Sequence, residues 1–102
     1  MNEHIDLPGG SGKLYRFRLT NQGRPSSAMS GTYAYVRDNG EGGEVLFVGD
    51  AVNLMNDARS RWDEAVGKHK ATHLYVRLNI SAAVRQAEIE DILEDGRPVM
   101  NK

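Results

Sequence analysis

The chain has 102 residues, enough for one domain built around one hydrophobic core. It contains no cysteine, which excludes a disulfide scaffold, a thiolate zinc site and a cysteine nucleophile. A net charge of −1 argues against a protein that coats nucleic acid through bulk positive charge. No apolar run approaches the ~18 residues of a membrane span, and Met1 to Leu7 lacks a signal-peptide core, so a cytoplasmic protein without membrane contact is expected.

Residues 1–12 read as an N-terminal arm that ends in a flexible connector, Pro8-Gly9-Gly10-Ser11-Gly12. Gly10-Ser11-Gly12-Lys13 is not a phosphate-binding loop. Leu7 stands where the first glycine belongs, Leu14 follows the lysine instead of Ser or Thr, and a strand follows where a helix is needed. Lys13 to Thr20 alternates, with Leu14, Phe17 and Leu19 apolar around Arg16 and Arg18, and reads as a half-buried strand. Asn21 to Ser30 is rich in Gly, Pro, Ser and Asn and reads as a loop.

Gly31 to Arg37 is the next strand, with Tyr33, Tyr35 and Arg37 on one face and Ala34 and Val36 on the other. The Asn39-Gly40 turn and the run Val45 to Val48 complete a hairpin. Leu54, Ala58, Trp62 and Ala65/Val66 then recur at helical spacing, with Asp50 or Asn53 as start cap, Gly67 as stop and Trp62 as a core anchor. His73 to Ile80 alternates as a strand. Ser81 caps a last helix, from Ala82 to about Glu94, which Gly96 and Pro98 stop. His69 and His73 have metal-like spacing, but the pair straddles the start of a strand, where that spacing does not align two imidazoles. The order β, ββ, α, β, α specifies a single α+β domain over residues 13–102, an antiparallel-rich sheet with helices packed on it.

Three segments carry a resemblance. Gly31-Thr32-Tyr33, Phe47-Val48-Gly49 with the following Asp50-Ala51-Val52-Asn53-Leu54, and Arg85-Gln86-Ala87-Glu88 running on to Pro98 and Asn101 together resemble the GIY-YIG nuclease family. Leu7 to Gly12, Tyr15 and Ala71-Thr72-His73 are similar to a compact bacterial subgroup of it. The resemblance implies a small antiparallel three-stranded sheet flanked by helices, and hydrolysis of a DNA phosphodiester with one Mg²⁺ or Mn²⁺. In its terms Glu88 is the metal ligand and Tyr33 orients or deprotonates water. Phe47 stands in the place of a second tyrosine, without the hydroxyl, and Asp57 stands in the place of the phosphate-binding arginine. Arg61, one turn further along, is the substitute, with Asp57 as its i,i+4 partner; Arg59 points away. Between Leu7 and Arg37 lie Lys13, Arg16, Arg18, Arg24 and Arg37 with no acidic residue. That stretch makes Arg16, Arg18 and Arg37, with Asn53 and Asn101 of the matched motifs, candidates for contact with DNA. The acidic run Glu88, Glu90, Asp91, Glu94 and Asp95 otherwise reads as a solvated helix face. The two departures leave a second expectation: a catalytically degenerate module that binds nucleic acid, a protein partner or another copy.

Overall fold

In the computed structural model, residues 2–20, 28–40 and 42–102 are described. The loop read over residues 21–30 falls mostly outside them, as does Arg24. Five strands form one antiparallel sheet: β1 (His4–Pro8), β2 (Leu14–Thr20), β3 (Gly31–Arg37), β4 (Glu44–Ala51) and β5 (His73–Leu78), in the order β1-β2-β5-β3-β4. The α+β expectation holds at that level, but the sheet has five strands among the described residues rather than three. Four of the five, β2 to β5, are strands that the alternation specifies, and the one it does not is β1. The segment read as an arm supplies β1, whose alternation puts Ile5 and Leu7 toward the core while His4 and Asp6 face outward.

Both faces of the sheet are covered. One carries Tyr33, Tyr35, Leu46, Leu74 and Val76, under α1 (Leu54–Asp57), α2 (Trp62–His69) and Met100 of a C-terminal 3₁₀ turn (Val99–Asn101). The other carries Leu7, Tyr15, Phe17, Ala34, Val36, Val48 and Tyr75 under α3 (Ala82–Ile92), which buries Ile89 and Ile92. Two-sided burial is why β3 is buried along nearly its whole length. In β2 the buried phase is Tyr15 and Phe17, while Leu14 is 65% exposed, so the aromatic ring and not the leucine sets the face.

The helical stripe after Gly49 is real but divided. Leu54, Ala58, Trp62 and Ala65 are buried, whereas Val66 is exposed, and residues 58–61 interrupt the helix. The cause is tertiary. The Tyr35 hydroxyl donates to the Ala58 carbonyl (2.9 Å) and accepts from the Arg61 amide (3.1 Å), replacing the helical ladder there. Asn53 caps α1 and Ser81 caps α3, as their side-chain chemistry specifies. Gly67 does not end α2; the helix runs to His69 and closes on Lys70 in the left-handed region (φ 62°). His69 therefore ends a helix and His73 begins a strand.

Candidate functional site

Tyr33, Phe47 and Arg61 come together on the α1–α2 face. Tyr33 and Phe47 sit in the β3–β4 pair with ring centroids 5.7 Å apart, and Tyr35 and Trp62 extend the aromatic cluster. Gly49 faces Tyr33 across the ladder. A Cβ there would lie 2.5 Å from Tyr33 Cζ and 2.7 Å from Phe47 Cε2, so the glycine of the second triplet is the floor on which these two rings rest. Gly31 of the first triplet is equally confined, since a Cβ on it would lie 2.3 Å from the Arg77 carbonyl oxygen. The Tyr33 hydroxyl lies 3.3 Å from Ser60 Oγ.

Arg61 does reach this cluster. Its guanidinium stands 4.9 Å above the Phe47 centroid, a cation–π contact. Its partner is not Asp57. Arg61 donates to both oxygens of Glu64 (3.1 and 3.0 Å) and to the Met100 carbonyl (3.1 Å), and Glu64 is thereby held below the usual carboxylate range. Asp57 instead accepts from the Asn53 amide at the start of α1.

Glu88 lies elsewhere. Val76 shares the face of Tyr33, so the next residue of β5, Arg77, points to the opposite face. There Arg77 donates to both Glu88 oxygens at 3.0 and 3.1 Å. A second pair stands beside it. Arg85, 3% exposed, donates to Asp50 (2.5 Å) and to the Asn79 carbonyl (3.0 Å). Thr32 lies between Asp50 and Arg77 in the cross-strand register, and its buried hydroxyl has no hydrogen-bond partner among the described residues. The structure thus brings Tyr33, Phe47 and Arg61 together and leaves Glu88 across the sheet from them. Among the described residues no group of three His, Asp or Glu side chains converges to hold a metal ion.

The acidic face of α3 is also less free than a solvated face. Asp91 accepts from the Ser11 amide (2.9 Å), the Ser11 hydroxyl (2.6 Å) and the Tyr15 hydroxyl (2.6 Å). These bonds hold its carboxyl below the usual range, and the bond to Asp91 raises Tyr15 above the usual phenol range. The Gly9–Gly12 segment is consequently a docked loop rather than a flexible connector. Gly10 donates to the Asp91 carbonyl (2.9 Å), and a Cβ on Gly9 would overlap the Asp91 carboxylate at 2.1 Å.

The five nucleic-acid candidates separate. Arg16 and Arg18 share one face of β2 with His4 of β1; with Val76, Arg77 and Leu78 they line a cavity of about 360 Å³. Arg16 pairs with Asp6 (3.0 Å), while Arg18 has no ion-pair partner among the described residues. Arg37 lies on β3, separated from β2 by β5, and pairs with Glu44. Asn53 is spent on its cap. Asn101 accepts from the Val48 amide and donates to the Val48 carbonyl, both at 2.9 Å, which closes the outer edge of β4. Arg77 is the residue that sequence reasoning missed, and Asp91, read as part of a solvated face, is instead the anchor of the Gly9–Gly12 loop. The alternation of β5 predicts the face of Arg77 but not what packs over it. No helix among the described residues is long and apolar enough to cross a membrane. Comparison with protein-family models, curated proteins and solved structures gave no match.

Proposed function

We propose that this chain is a nucleic-acid-binding domain of GIY-YIG-like architecture in which the hydrolytic residue set has come apart. One observation carries the reading: the sheet divides the set, with Tyr33, Phe47 and Arg61 on one face and Glu88, engaged through both oxygens by Arg77, on the other. A divalent ion on Glu88 would have to displace a guanidinium and would then stand across the sheet from Tyr33. The residues present do not fit a resident Mg²⁺ or Mn²⁺ there. Contact with DNA is supported by the grouping of His4, Arg16 and Arg18 around one cavity, where Arg18 has no ion-pair partner among the described residues and Arg16 is held only by the exposed Asp6. Arginines so placed bind backbone phosphates and position a strand without reading its bases. Fluorescence anisotropy with short labelled DNA tests this. Binding should weaken steeply between about 50 and 200 mM salt and fall in Arg16→Ala and Arg18→Ala protein. Binding indifferent to both substitutions, or absent at low salt, removes the reading and leaves a protein partner or self-association.

A metal-dependent DNA nuclease is the second reading, favoured by the packing of Tyr33 on Phe47 with Arg61 over the ring. It requires Arg77 to release Glu88. Nicking of supercoiled DNA in Mg²⁺ or Mn²⁺ that disappears in Glu88→Ala protein would put this reading first.

A further inference from the structure

β1 is an edge strand, and its register determines which of its backbone groups are spare. Leu19 donates to the Glu3 carbonyl and Gly9 donates to the Lys13 carbonyl. In this antiparallel pair, with His4 opposite Arg18 and Asp6 opposite Arg16, the odd-numbered residues of β1 therefore bond to β2. His4, Asp6 and Pro8 turn their main-chain groups outward. The ends of that outer edge are closed: the Asn2 carbonyl accepts from the Tyr75 hydroxyl (2.6 Å), the Pro8 carbonyl accepts from Arg97 (3.4 Å), and Pro8 has no N–H. Between them the N–H and C=O of His4 and of Asp6 have no partner among the described residues. The other edge of the sheet is treated differently, since Asn101 covers Val48 on β4.

The open edge faces a cleft. The sheet curls so that β1 lies across from the β3–β4 hairpin. A space of about 790 Å³ is lined by β1 on one side and by Asp38, Gly40, Gly42 and Gly43 on the other, with Val36 and Val45 in its wall. One five-residue strand, about 17 Å long, one strand spacing of about 4.8 Å wide and one sheet layer of about 10 Å deep, fills roughly 800 Å³. Gly40, Gly42 and Gly43 bring no side chain into it.

We propose that an extended peptide segment of a partner protein adds to β1 in this cleft as a sixth strand. It hydrogen-bonds to His4 and Asp6 through its main chain, so it carries no proline at the two residues opposite them. Its alternate side chains are apolar and pack on Ile5, Leu7 and Val45, which line the cleft on the α3 side. The space decides between a peptide and a second copy of the chain. β1 of a second copy would arrive with its own β2 beside it and need about twice the volume of one strand, whereas the space of about 790 Å³ matches one.

A short synthetic peptide alternating valine and threonine between lysine ends is the probe, titrated into ¹⁵N-labelled full-length chain. The His4 and Asp6 amides should shift and exchange their protons more slowly. The same peptide N-methylated on the face turned to β1 should bind at least about tenfold more weakly. Asp6→Pro, which removes an outward N–H without touching the β2 ladder, should weaken binding similarly while retaining the dispersed spectrum of the folded chain. Equal binding of the methylated peptide, or no change at His4 and Asp6 at millimolar peptide, overturns the proposal. Sedimentation showing a dimer with both amides protected before any peptide is added overturns it in favour of a second copy.

Discussion

Tyr35→Phe isolates a single hydroxyl that joins the sheet to the helix break. Tyr35 is fully buried, and its hydroxyl serves the Ala58 carbonyl and the Arg61 amide at once. Phenylalanine keeps the ring contacts with Tyr33, Phe47 and Trp62 and orphans both backbone groups. A buried polar group left unpaired costs about 1–3 kcal/mol. Arg61 is partly exposed and its amide recovers some of that from water, so the substitution should destabilise by about 2–4 kcal/mol. A domain of this size shifts by at least ~4 °C per kcal/mol, so the thermal midpoint should fall by at least roughly 8–16 °C. Urea unfolding should show a lower midpoint with an unchanged slope. The pH dependence adds a second readout. Burial pushes the Tyr35 phenol up to about 12, above its unfolded value of about 10. The folded state therefore holds the proton more tightly, and the phenol's contribution is complete below pH ~10 and lost as pH rises toward ~12. The gap between wild type and Tyr35→Phe should narrow across that window. A variant within about 0.5 kcal/mol of wild type at neutral pH, or two stability curves that stay parallel to pH ~12, would refute the bridging role.

Asn101→Ala removes both bonds to Val48 and should cost about 1–2 kcal/mol in urea unfolding; the uncovered β4 edge should also raise light scattering at high concentration. Gly49→Ala drives a methyl into the Tyr33 and Phe47 rings and should destabilise by about 1–3 kcal/mol, with partial recovery when combined with Tyr33→Leu. Asp91→Asn should be less stable than wild type at neutral pH. Because hydrogen bonds from Ser11 and Tyr15 depress the Asp91 carboxyl, its contribution is present above pH ~4 and lost as pH falls through the folded value. The two proteins should therefore converge in urea midpoint as the pH drops below that range.

Much of this architecture is legible in the residues themselves. The two-residue alternation of Gly31 to Arg37 and of His73 to Leu78, and the caps Asn53 and Ser81, are local signals with local causes. β1 is also written there, in the alternation of His4, Ile5, Asp6 and Leu7. A five-residue stretch ahead of a glycine-rich loop reads equally well as an arm, because only pairing with β2 makes it a strand. The interruption between α1 and α2 has no local signature. Residues 54–66 carry an unbroken helical stripe, and the Tyr35 hydroxyl that interrupts it lies on a strand far away in the chain. The candidate site divides the same way. Tyr33 and Phe47 share a face by simple parity along a hairpin. The location of Glu88 depends on which side of the sheet α3 docks, and parity within one helix does not contain that.

The central position of β5 sets an order in time. β5 lies between β2 and β3, so the hairpin of β1 and β2, though first in the sequence, has no place to join until residues 73–78 have paired with β3. The N-terminal hairpin must wait for contacts far along the chain, a loop closure that slows folding toward the millisecond-to-second range of non-local β topologies. The strand that offers its edge to a partner therefore belongs to the part of the sheet that is completed last.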